Sequence, residues 1–204
     1  MKLIKFGSAA LAATMAFSAA PVFAADNSPI QGDVNKTPAV TEATVDGIKI
    51  EVTENAITDE KVLDVVNDEQ KVKDILKENG YKVPTGATVV VLGEGDYTYE
   101  VNGKTEELKQ AVEMSFDAAG LAAKDGDQVF VLHLKHDGKW EVISAVVEKG
   151  IIKVTLDGLS PVAFYKVVDE KTGKVVEITK EEAAQAGVNT TTAKVEKKSP
   201  NTGI

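Results

Sequence analysis

The sequence predicts an α+β domain: mainly an antiparallel β-sandwich, joined by a small N-terminal helical pair and flanked by disordered segments. Three observations carry this. From Gln128 to Val168 four apolar runs of strand length are divided by tight, glycine-containing turns. Between Asp59 and Asn79 the apolar residues change to helical spacing and follow capping residues. The 204 residues are 43% hydrophobic, which suits one ordinary domain with flexible extensions.

The chain opens with Met1, Lys2 and Lys5, an apolar run from Ala9 to Phe17, and small residues Val22 and Ala24 in the cleavage positions. That is the pattern of a secretory signal peptide, so residues 1–24 are expected to be removed. The apolar run falls short of the roughly 20 residues that span a bilayer, and no retained transmembrane segment is expected. The rest of the chain carries 21 lysines against 32 acidic residues, a net charge of −11, with no arginine. Lacking a basic patch and a guanidinium fork, it is not expected to bind nucleic acid. Cysteine is absent, so there is no disulfide, thiolate nucleophile or cysteine-held zinc, and the fold must stand on packing.

Residues 25–43, polar and small with Pro29 and Pro38, read as a disordered lead-in to a domain over 44–168. Ile48, Ile50 and Val52 alternate with Lys49 and Glu51, predicting a half-buried strand from Gly47 to Thr53. The helical element spans 59–79. Thr58 is the expected cap of its first helix and Asn67, with Gln70 three residues on, of its second; Val72, Ile75 and Leu76 form the apolar face and Gly80 the left-handed stop. Ala87 to Leu92 predicts a strand buried on both faces. Tyr97, Tyr99 and Val101 then alternate into the hairpin signal Asn102-Gly103, whose far side is acidic and a poor partner. Val112, Met114 and Phe116 alternate before a turn at Lys124–Asp127.

In the central stretch Val129, Val131 and His133 share one face and Phe130, Leu132 and Leu134 the other, which predicts a mid-sheet strand covered on its second face by the helical pair. Asp137-Gly138 closes a hairpin into Trp140 and Val142. Ile152, Val154 and Leu156 give the clearest alternation, and Val162 to Val168 is the last strand. Residues 169–198 read as a stalk, with a short hairpin around Thr172-Gly173 and a short helix that Thr179 and Glu182 open and Gly187 ends.

The five residues Ser199-Pro200-Asn201-Thr202-Gly203 resemble the LPXTG-type sorting signal of Gram-positive cell-wall proteins. The resemblance implies sortase cleavage between Thr202 and Gly203 and attachment of Thr202 to peptidoglycan. The signal is usually written LPXTG and is known with serine at the first position; the departure here is that the apolar segment and basic tail that normally follow are missing after Ile204. The runs DGDQVFVLHL, DGKWEVI and GIIKVTLDGLSPVAF are similar to a β-sandwich module of secreted, wall-anchored Firmicutes proteins. That resemblance implies an Ig-like sandwich in a cell-surface setting, with no catalytic residues. Some cysteine-free wall proteins carry lysine–asparagine cross-links, for which Lys153 and Lys166 are the strand lysines to consider.

No residue pattern marks a reaction centre. His133 lies within an apolar strand and His136 in a solvent turn, so both read as structural. Ser160 lacks a nucleophile elbow. Glu94-Gly95-Asp96 and Asp125-Gly126-Asp127 lack the spacing of a calcium loop and read as turns; no metal or cofactor is expected. Tyr97 and Tyr99 point the same way and form the one candidate ligand platform, for a glycan. The expected function is a non-enzymatic wall-attached module serving as spacer, display or adhesion domain, with sortase and peptidoglycan as partners and a host or matrix protein or glycan as ligand. The alternative is a secreted carbohydrate-binding module or glycan-active hydrolase. The latter needs two carboxylates facing across a cleft at roughly 5–9.5 Å.

Overall fold

The computed structural model describes residues 31–32, 36–101, 104–106, 108 and 110–181. The signal peptide, the SPNTG motif and the expected helix from Glu182 on lie outside the described residues. The strands are β1 (Gln31–Gly32), β2 (Val40–Val45), β3 (Ile48–Lys49), β4 (Val52–Asn55), β5 (Ala87–Val101), β6 (Lys104–Glu106) and β7 (Ala111–Asp117), then β8 (Gln128–Leu134), β9 (Trp140–Val146), β10 (Ile151–Asp157) and β11 (Pro161–Asp169). Helices α1 (Glu60–Val66) and α2 (Glu69–Glu78) lie between β4 and β5. The described chain is thus mostly strand, in two sheets. One runs β1-β5-β11-β8-β9, with β4 and β6 also on β5; the other runs β10-β7-β2-β3. All pairings are antiparallel except β1 with β5.

Two apolar clusters explain this layout. Phe130, Leu132, Ala163, Tyr165, Val89 and Val91 of the first sheet pack with Val62, Val66, Val72 and Leu76 of the helices. On the opposite face Val129, Val131, Val162 and Phe164 pack with Val112, Met114, Phe116, Ile152, Val154 and Leu156 of the second sheet. A strand lined on both sides in this way is apolar on both faces, which is why β8 and β11 read as largely hydrophobic runs, interrupted by His133 in one and Lys166 in the other. α2 crosses the sheet. Glu69, at its start, accepts the Thr88 hydroxyl of β5, and Asn79 Nδ2, at its end, donates to the Trp140 carbonyl of β9 at 3.5 Å.

The helix caps fall one residue later than expected. Asp59 and Asp68, not Thr58 and Asn67, accept from Lys61 N–H at 2.8 Å and Lys71 N–H at 3.0 Å. A carboxylate satisfies the orphan amides and also complements the positive helix end, so it outcompetes the neighbouring neutral side chain.

The expected strand from Gly47 to Thr53 is divided. Asp46 and Gly47, with φ of 51° and 76°, turn β2 into β3, and the chain then changes sheets so that β4 pairs with β5. Ile48 is left 70% exposed. The two strands expected within residues 87–101 are one. Its register on β11 slips between Val91 and Gly93, a bulge at Leu92.

Both outer boundaries move. The Lys36 carbonyl accepts from Glu94 N–H at 2.8 Å and the Ala39 carbonyl from Asp117 N–H at 3.1 Å, so residues 36–43 are part of the folded body rather than a disordered lead-in. Gly93 permits this approach, since a Cβ there would stand 2.5 Å from the Lys36 oxygen. At the other end the chain turns at Asp169, whose carboxylate accepts from the amides of Lys171 and Thr172. Val176 N–H then donates to the Val167 carbonyl at 2.8 Å, and Gln128 grips both backbone groups of buried Ile178, at 2.8 and 2.9 Å. Residues 169–180 therefore belong to the domain and not to a stalk. Polarity misleads in both segments: the first is held by backbone hydrogen bonds that most side chains permit, and the second by the Gln128 side chain and the burial of Ile178.

Candidate functional site

Tyr97 does not form a platform. Its ring is 1% exposed and meets Phe116 edge-on at 5.4 Å, while its hydroxyl donates to the Pro38 carbonyl at 2.8 Å. Burial, with the Glu54 charge added, pushes its phenol well above the ordinary range. Tyr99 is half-buried against the same cluster. The pair point the same way, as the alternation requires, but towards the second sheet. Ser199, Pro200, Asn201, Thr202 and Gly203 lie outside the described residues.

The most unusual chemistry lies on the other face of β5. Glu94 and Asp96 are strand residues, not turn residues, paired with Ala163 and Pro161 of β11. The bulge at Leu92 resets the alternation, so Glu94 shares the helix-covered face with Ala163. It is 6% exposed, and its Oε2 has no hydrogen-bond partner among the described residues. Burial raises the Glu94 carboxyl to about 7 and raises that of Asp96 too. Nearby Tyr165 is fully buried and donates to the Val66 carbonyl at 2.8 Å, tying β11 to α1. Glu94 can hold a proton near neutrality, as a general acid does, while only 6% of the residue is exposed. Glu94 and Asp96 are neighbours on one strand and do not face each other across a cleft as glycoside hydrolysis requires.

His133 is fully buried between the sheets, its Nδ1 3.4 Å from Glu141 Oε2 and its Nε2 without a partner among the described residues. Burial lowers its pKa, against the opposing pull of Glu141, and so favours the neutral imidazole. His136 packs over Gly158, where an added Cβ would stand 2.8 Å from its Nε2. Lys135 and Asp157 pair at 2.9 Å beside them. Among the described residues no three His, Asp or Glu are grouped so as to hold a metal ion.

Other candidates resolve into structure. Asp125 accepts from Gly150 N–H at 2.7 Å and Asp127 from Lys124 N–H at 3.0 Å, so these carboxylates tie turns. Ser160 donates to the Leu134 carbonyl. Lys153 is exposed and Lys166 half-buried, its amine 3.3 Å from the Ala122 carbonyl. Among the described residues no helix is long and apolar enough to cross a membrane. No family model matches the chain, and neither does any curated protein or solved structure. Sequence reasoning missed Glu94 as a buried acid. The signal would have been the bulge, which depends on pairing with β11 and leaves no local mark.

Proposed function

We propose that this chain is a non-enzymatic surface module, exported by its first 24 residues and joined to peptidoglycan by sortase through Thr202, with the folded body acting as spacer, display or adhesion domain. The observation that carries the reading is the combination of a signal-peptide pattern at one end with SPNTG, after a threonine- and lysine-rich stretch, at the other. The arrangement of the body supports it: Tyr97, Tyr165, Asp125 and Asp127 spend their polar atoms on backbone groups of the same domain. We read the two sheets with their common apolar cluster as an Ig-like sandwich carrying a helical cover. A host or matrix protein or a glycan is the ligand class such a display domain would meet.

Cell fractionation tests the attachment. A wall-bound fraction should be present in cells with active sortase and move to the medium when sortase is removed. Full release into the medium despite active sortase would contradict the proposal.

A further inference from the structure

Strand β10 forms one edge of the second sheet, paired with β7 on one side and with no described strand on the other. The Gly150 carbonyl accepts from Ala118 N–H at 2.9 Å, which fixes the even-numbered residues of this strand as those whose backbone groups face β7. Lys153, Thr155 and Asp157 therefore present N–H and C=O to the open edge. Ile151 does not, because both its groups are bonded to Glu148 at 3.0 Å. The side chains of Lys153, Thr155 and Asp157 are exposed.

We propose that this edge pairs with the same edge of a second copy of the chain, antiparallel and two-fold symmetric about Thr155. In that register Thr155 meets its symmetry mate, and Lys153 of each copy meets Asp157 of the other. The three residue pairs exchange about six backbone hydrogen bonds. Moving the centre to Lys153 or to Asp157 sets like charges opposite each other, and moving it to Val154 leaves both charges unanswered. Only the Thr155-centred register combines the longest ladder with opposed charges. An edge lysine ordinarily guards a strand against indiscriminate pairing. Here Asp157, held in place by Lys135 at 2.9 Å, answers that lysine in one alignment and so turns a guard into a selector. The net charge of −11 on residues 25–204 of each copy works against association at low salt, so physiological ionic strength is the condition to use.

Sedimentation equilibrium on residues 25–204 is the test, taken from micromolar to roughly millimolar protein. A monomer–dimer equilibrium is expected. Lys153→Glu, which sets negative charges opposite each other at both ends, should weaken it by about tenfold. Thr155→Pro should abolish it with the circular dichroism unchanged, because the lost N–H faces the open edge. A chain that stays monomeric throughout overturns the proposal, even if it captures an unrelated extended peptide. So does a dimer as tight in Lys153→Glu as in the wild type, which keeps the test decisive if the proline variant fails to fold.

Discussion

Glu94 is the residue at which folding works against ionisation. Its folded-state pKa of about 7 lies above the ordinary 4.5, so the folded chain holds this proton more tightly than the unfolded chain does. The stability it contributes is complete below pH 4.5 and is lost as pH rises through 7. His133 has the opposite sign: its pKa is lowered, so its contribution is lost as pH falls below the ordinary 6.5. The two partly cancel in the wild type, and a variant separates them. Glu94→Gln should gain on the wild type by about 2.5 kcal/mol between pH 5 and pH 8, read from urea denaturation at each pH. A difference that does not change with pH would refute the buried-acid account. Tyr97→Phe should cost about 1–2 kcal/mol by leaving the Pro38 carbonyl unanswered, and should leave any glycan binding intact. The direction of Tyr97 was legible from alternation with Tyr99. What covered it was not, since the residues that do so, Pro38 and Phe116, come from remote segments.

Elements were legible where the local pattern and the burial agree. The helices, β8, β10 and β11 stand close to where periodicity put them, because each buries the stripe or face that its own side chains define. The segments whose partners lie far off in the sequence, residues 36–43 and 169–180, were not. Two substitutions test those segments. Gly93→Ala drives a Cβ against the Lys36 oxygen and should cost about 1–3 kcal/mol, with the Glu94 amide losing its protection from hydrogen exchange. Were residues 36–39 merely lying near the domain, that amide would exchange as fast in wild type as in the variant. Ile178→Ala should cost about 2–5 kcal/mol, a loss no stalk residue would produce.

At the scale of the molecule, four consecutive strands from β8 to β11 are divided between the sheets: β10 joins β7, while β11 inserts between β5 and β8. Alternation is the same whichever sheet receives a strand, so this exchange could not be read from sequence. Its consequence is that the most patterned stretch of the chain belongs to both sheets and holds them together. Within it His133 is buried beside Glu141, and Asp157 pairs with Lys135 at the edge of the second sheet. No described lysine is buried, and an amine must shed its charge before it can attack a side-chain amide. The intact mass of the described domain should therefore show no loss of ammonia.

The central claim is that this body is carried to the surface and held there through its last residues, and peptide mapping of protein released from purified walls by muramidase tests it most directly. The expected result is a C-terminal peptide that ends at Thr202 and bears a wall peptide on its carboxyl group. A C-terminal peptide that continues through Gly203 to Ile204 would contradict it.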